Sequence, residues 1–362
     1  MTRVSRKVCV GGTSTIFSSE VPPGVAVPLF CEHFDPRFFH ITSSPSDGQF
    51  LVAFNHSPKL YRKFINSGGE PRRAVLIRLE PDSVFPAQYT SRITDKYGLV
   101  LSPGSSRKIS TTQIQLGWPY QYHLNPATPV PTDPSLIDIL DSNNYENLFA
   151  LENWEKRSHL LTMIAGNKVS PVSRANYALR RQLAKELPTD LLEVYGPLWE
   201  GALYPKVRHR LAVLVATIRQ GTFPNLREIY GNLFQTYSTA KGVIANKHEL
   251  LQGSKFSLVI ENSNTIVTEK IFDSIINGAI PIYVGPVLSE VGLPVKIAIP
   301  IKGSADEVLE IVTAMDPTSV GEYLLAMSTF IKRANFRENW VAELAYKKMA
   351  TRVIQYFEGV NA

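Results

Sequence analysis

FSLVIENSNTIVTEKIFD, residues 256–273, holds the densest polar signal in the 362-residue chain. Lys255–Ile260 reads as a buried strand and Glu261–Thr265 as a short polar turn. Val267–Asn277 has helical spacing and is ended by Gly278. Strand, turn and helix in that order are the repeating unit of a parallel sheet. In such a sheet the strand's carboxyl end opens onto a ligand crevice, and the following helix aims its unpaired N–H groups and positive dipole end into it. A phosphate group is the natural guest. Lys270 adds a full positive charge there, and Glu269 can accept hydrogen bonds from sugar hydroxyls. The plainer alternative is that Ser263, Asn264 and Thr265 cap the helix while Glu269 and Lys270 are solvated surface charges.

The same alternation extends in both directions. Downstream, Ile280–Val284 and Val295–Ile301 read as strands. Upstream come strand His159–Ala165, helix Ser173–Leu187, strand Asp190–Tyr195 and helix Asn246–Gln252. An earlier series has strands Lys7–Gly12, Gln49–Phe54, Arg73–Leu79 and Gly98–Leu101, with helices Ser57–Asn66 and Phe85–Lys96 between them. Between the two series lies a proline-rich stretch at 125–134, so the spacing predicts two α/β lobes, 1–155 and 156–335. Within residues 336–362, Asn339–Phe357 has the spacing of an amphipathic C-terminal helix that packs back on the lobes, with Lys347, Lys348 and Arg352 on its polar side. The second option for that helix is contact with a membrane surface.

Composition narrows the classes. The chain has 44% hydrophobic and 19% charged residues, enough apolar material for sizeable cores and no disordered or fibrous bias. Cys9 and Cys31 are too few for a disulfide framework or a structural zinc site, which fits a reducing compartment, while counting leaves a single bridge between them open. Neither a signal peptide nor a run of about 18 apolar residues occurs, so the reading is cytoplasmic, with at most a peripheral place at the inner membrane. The formal net charge of +6 favours an anionic partner. It does not point to nucleic acid, because Lys and Arg are not interleaved with aromatics along a groove-like run. Asp-x-Asp, P-loop and Gly-x-Gly-x-x-Gly signatures are all missing, and the seven histidines have no metal-ligand spacing. A divalent metal is therefore not indicated.

Two further positions carry candidate chemistry. Arg174 lies in the turn after strand 159–165, from which a guanidinium fork can bind two phosphate oxygens if this strand neighbours strand 255–260. Arg180 and Arg181 on the same helix read as solvated. Glu80 ends strand 73–79 and is followed by Pro81. A carboxylate there can act as a general base, or it can pair with Arg78 or Arg73 on the surface.

Glu261-Asn262-Ser263-Asn264, then Val267-Thr268-Glu269-Lys270-Ile271, then Gly278-Ala279-Ile280-Pro281-Ile282-Tyr283-Val284-Gly285 resembles the donor-site signature of the α-1,3/1,4-fucosyltransferase family. The stretch 165–179 is similar to that family's strand, turn, arginine and helix, and Leu79-Glu80-Pro81-Asp82-Ser83 to its base-bearing segment. The resemblance implies a GT-B architecture: two Rossmann-like lobes facing a central cleft, acceptor glycan on the first and GDP-fucose on the second. It implies an inverting, metal-independent transfer with Glu80, Arg174 and Lys270 as catalytic residues. Arg174, Glu261, Asn262, Ser263, Thr268, Glu269 and Lys270 would hold the nucleotide sugar. The chain departs from the family in two ways: Ile266 stands where members usually have tyrosine, and the loop 262–268 is about two residues shorter. Both changes fall on contacts to the sugar and leave those to the nucleotide.

Overall fold

The computed structural model describes residues 6–12, 26–104, 113–120, 135–142, 145–219 and 223–360. The proline-rich stretch 125–134 lies outside them. The chain divides into two compact units, one formed by Met1–Pro119 with Arg337–Ala362 and the other by Tyr120–Phe336.

The first unit is a parallel sheet of β1 (Arg6–Gly12), β2 (Phe39–Thr42), β3 (Phe50–Phe54), β4 (Ala74–Ile77), β5 (Leu99–Ser102) and β6 (Gln113–Gln115), in the order β2-β1-β3-β4-β5-β6. Successive side chains of a strand point to opposite faces, so each central strand feeds two cores. Leu51, Ala53, Ala74, Leu76 and Val100 meet Phe64 of the helix Pro58–Asn66. Phe50, Val52, Phe54, Val75, Ile77, Leu99 and Leu101 face Phe30, Phe34 and the long helix Ala342–Val360. Helix 58–66 starts as expected, with Pro58 at its first turn and Ser57 Oγ accepting from the Leu60 N–H at 3.3 Å.

The C-terminal helix buries Ala342, Ala345, Tyr346, Met349, Ala350, Val353 and Phe357 in this unit, with Phe357 and Phe50 at a ring separation of 4.3 Å. Most of its apolar face is thus taken up by the core, with Leu344, Ile354 and Tyr356 half-buried. It also begins at Ala342 rather than Asn339, after a separate helix Ala334–Trp340.

The second unit holds β7 (His159–Ile164), β8 (Leu192–Tyr195), β9 (Ala240–Gly242), β10 (Ser254–Ile260), β11 (Ile280–Val284) and β12 (Ile299–Pro300), again all parallel, in the order β12-β11-β10-β7-β8-β9. From β7 the chain first builds outward through β8 and β9, then returns to the other side of β7 for β10, β11 and β12. The strand order reverses between β7 and β10, and at such a reversal the two following loops diverge and leave a crevice. Residues 145–157 pack on this unit rather than the first. Tyr145 Oη donates to Ile276 O (2.6 Å), Trp154 Nε1 to Lys255 O (2.8 Å), and Arg157 Nη1 to Ser254 O (2.9 Å). The division therefore falls near 119 and not near 155.

Three expected elements are shorter than their sequence pattern. Phe85–Lys96 is broken into a 3-10 turn at Pro86–Tyr89 and a single turn at Ser91–Thr94, because Gln88 and Tyr89 are drawn aside to bond Glu80 O. The helix expected at 173–187 begins only at Tyr177, the Asn176 N–H being given to Asn262 O. Val295–Ile301 is a 3-10 turn followed by the two-residue β12, where Pro300 lacks the N–H to extend the ladder. Cys9 and Cys31 are both free thiols. Among the described residues no helix is long and apolar enough to cross a membrane.

Candidate functional site

The decisive stretch folds around a buried carboxylate. Glu261, at the carboxyl end of β10, is fully buried, and its Oε1 and Oε2 accept from the Thr268 N–H (2.9 Å) and the Thr268 hydroxyl (2.5 Å). Thr268 is the extended N-cap of the helix that starts at Glu269, and its N–H is held by Glu261. Lys270 Nζ donates to Thr268 Oγ1 (2.7 Å) and Glu269 Oε1 (3.1 Å) and lies 3.6 Å from Glu261 Oε2. Burial pushes the Glu261 carboxyl up, against the pull of Lys270. Burial also works against the Lys270 ammonium, but Glu269 and Glu261 outweigh it and its pKa is raised. Burial likewise opposes the Glu269 carboxylate, and Lys270 beside it nevertheless holds it down to about 2. Glu269 is 45% exposed at its side chain against 15% for Lys270, so the two present an ion pair at the crevice edge.

The neighbouring turn is tied to this loop. The Asn176 N–H donates to Asn262 O (3.0 Å), and its side-chain amide to Asn264 Oδ1 (2.9 Å). Since β7 and β10 are adjacent, the turn carrying the exposed Arg174 and the loop 261–268 meet at the point of strand reversal. Ser263 is buried, with its hydroxyl 2.8 Å from that of Thr265; Asn262 is half-buried. Ile266 is buried in the core at 1% exposure, so this position offers nothing to a ligand.

Arg180 and Arg181 are not solvated. Arg180 is buried, bonding Ile260 O and Asn262 Oδ1 (2.8 Å) with its guanidinium over the Tyr177 ring at 4.9 Å. Arg181 is also buried, bonding Lys168 O (2.7 Å) and pairing with Glu228. Alternation of charge could not separate these from surface arginines, because their main-chain and side-chain partners are distant in sequence. Tyr177 is likewise buried in the core. The helix 269–276 is held from below by Asp273, whose Oδ1 receives Lys247 Nζ (2.6 Å) and Tyr120 Oη (2.8 Å). At the end of β11 the Tyr283 hydroxyl is buried without a hydrogen-bond partner among the described residues. A Cβ at Gly285 would stand 2.3 Å from that hydroxyl and 2.9 Å from Glu261 Cγ, so only glycine fits there.

In the first unit Glu80 lies half-buried just beyond β4. Its backbone is clamped: Asn55 Oδ1 accepts from the Leu79 and Glu80 N–H groups (2.9 and 3.0 Å), and Glu80 O accepts from Gln88 Nε2 (2.9 Å) and Tyr89 Oη (2.8 Å). Asn55 takes the left-handed conformation (φ 55°) that lets its amide reach both donors. Arg78, the sequence-level candidate for pairing with Glu80, is buried with its guanidinium 4.7 Å from the centre of the Tyr89 ring.

The same clamp reaches His56, which sequence reading passed over. Its N–H donates to Gln88 Oε1 (3.1 Å), and its Nδ1 sits 2.8 Å from Tyr97 Oη. A cleft beside it is lined by His56, Pro58, Tyr61, Arg62, Ile65 and Lys96, an apolar and aromatic floor with two cations at the rim. Burial, then Lys96, lowers the His56 pKa to about 4. A depressed histidine pKa makes the folded state bind fewer protons than the unfolded chain, so stability is lost as pH falls from about 6.5 toward 4. For a group only partly shielded from water, roughly 2–3 kcal/mol is expected at full protonation. Denaturant midpoints at pH 7 and 4.5 should therefore lie closer together in His56→Asn than in the wild type. Equal spacing would show that His56 does not carry the acid sensitivity.

No family model matches the chain, and no curated protein sequence matches it. Solved structures do. The chain is similar to an α1,3-fucosyltransferase crystallised with GDP, with a TM-score of 0.54 and 15% identity over 99% of this chain and 91% of that one. The same enzyme type with GDP-fucose gives 0.50 and 14% over 98% and 90%. Anabaena HepE in complex with UDP gives 0.51 and 10% over 97% and 99%. At such identities the likeness is one of architecture: two parallel six-stranded sheets with surrounding helices, the GT-B glycosyltransferase fold.

Proposed function

We propose that the protein is an inverting, metal-independent glycosyltransferase that moves L-fucose from GDP-fucose to a hydroxyl of an acceptor glycan. The observation that carries this reading is the joined pair of loops at the strand reversal of the second unit, with Arg174 on one and the helix start bearing Glu269 and Lys270 on the other. A diphosphate in that crevice meets the helix N-terminus, the Lys270 ammonium and the Arg174 guanidinium, while Glu269 and Asn262 accept and donate hydrogen bonds to ribose and sugar hydroxyls. Glu261, Ser263 and Thr268 act one step back, holding the loop in shape. The acceptor belongs on the first unit, near Glu80 and the cleft beside His56.

Glu80 takes the proton from the attacking hydroxyl as its oxygen bonds to the anomeric carbon. On the opposite side of that carbon the bond to the β-phosphate oxygen breaks, which inverts the centre and releases GDP. Negative charge grows on the departing diphosphate, and Arg174 and Lys270 offset it in place.

A second reading, a different nucleotide sugar on the same machinery, is favoured by Ile266, whose burial leaves no ring to contact a sugar at that position. Calorimetry with GDP, UDP and GDP-fucose separates the two. GDP is expected to bind at least tenfold more tightly than UDP, with Arg174→Ala weakening it. A preference for UDP selects the second reading, and no nucleotide binding at all sinks both.

A further inference from the structure

We propose that the helix Leu203–Arg219 and residues 223–234 form a docking face for an anionic lipid surface. This inference stands apart from the donor-site reading. The helix is amphipathic inside out. Lys206, Arg210 and Thr217 are on its buried side, with Lys206 Nζ bonded to Gln235 O at 3.0 Å. Tyr204, Leu211, Val215 and Ile218 are exposed, and with Arg208 they recur at spacings of four, three, four and three residues. Such spacing keeps side chains on one stripe, here about 21 Å long at 1.5 Å per residue.

Helix Leu226–Tyr230 packs against this helix and extends the surface with exposed Leu226 and Tyr230, flanked by Phe223 and Phe234 at 98% and 84% exposure. An apolar stripe of this extent on a folded chain marks an interaction surface. The charges choose the partner. Residues 203–219 contain no Asp or Glu, while Arg208, Arg219 and Arg227 are exposed around the stripe. Of the acids that flank the helix in sequence, Glu228 after it is already paired with Arg181, and Glu200 stands alone three residues before its start. A second copy seated on the same face by twofold symmetry would bring these guanidinium groups to a surface with no carboxylate on its helix. An anionic headgroup layer neutralises them while the apolar and aromatic side chains enter the acyl boundary.

Vesicle co-sedimentation tests this with the full chain. Binding is expected to vesicles of mixed phosphatidylcholine and phosphatidylglycerol and not to phosphatidylcholine alone, and it should weaken as salt is raised. The exposed-face variant Leu211→Ser/Val215→Ser/Ile218→Ser should lose at least tenfold in binding, as should Arg208→Glu/Arg219→Glu. Both should keep the wild-type circular dichroism and melting curve, since none of these side chains is buried. Absence of binding to the anionic vesicles overturns the proposal. So does sedimentation showing a dimer that the triple serine variant dissociates, which would give the face to a second copy. Failure of the vesicle test leaves nucleotide binding untouched, and loss of nucleotide binding leaves this test standing.

Discussion

Glu80→Gln is expected to lower donor-dependent GDP release by roughly 100- to 10,000-fold, the worth of a positioned general base, while GDP affinity stays within about twofold. The substitution keeps the side chain's shape and removes only its ability to take a proton. The bonds from Asn55, Gln88 and Tyr89 go to main-chain atoms of Leu79 and Glu80, so that clamp stays in place in the variant. Steady-state GDP release and calorimetry on the same preparation check the two halves of the expectation. Turnover at wild-type level in Glu80→Gln would remove Glu80 from the mechanism, and a collapse in GDP affinity would move its role to the donor side.

Lys270→Met has a double effect, which a second substitution can take apart. Removing the ammonium strands the buried Glu261 carboxylate without its cation, a loss of about 3–5 kcal/mol for a broken buried pair. It also deletes a charge proposed to face the diphosphate, so GDP affinity should fall at least tenfold. In Lys270→Met/Glu261→Gln the uncompensated charge is gone, and an amide can still accept from Thr268. Denaturant unfolding of the double variant should therefore recover most of the lost stability, while calorimetry still shows weak GDP binding. If the double variant regains binding along with stability, Lys270 serves only the loop's architecture and the diphosphate reading fails at this residue.

Much of the fold is legible along the chain because parallel strands buried on both faces write themselves as short runs of β-branched and aromatic residues. β3, β10 and β11 lie within a residue of their sequence patterns. Helix starts with a local cap are equally legible, as at Ser57 and Asn246. Three boundaries slipped where a bond to residues outside the local pattern ties down the flanking residues: Thr268 donating to Glu261, Asn176 to Asn262, and Gln88 to Glu80. The region 196–245 gave no pattern at all. Its long helix hides cations and exposes aliphatics, the reverse of the rule by which a helix face is read.

From residue order alone came the α/β class, the alternation of strands and helices, and the candidacy of Glu80, Arg174, Glu269 and Lys270, since strand periodicity and the chemistry of a polar turn before a helix are local properties. The tertiary structure alone decided the strand order that sets β7 beside β10 and so unites the Arg174 turn with the Lys270 loop. It alone buried Arg180, Arg181 and His56, and it drew the C-terminal helix into the first unit's core while leaving the 203–219 stripe bare. Pairing, burial and desolvation are relations between residues far apart in the chain, and no window of sequence contains both partners.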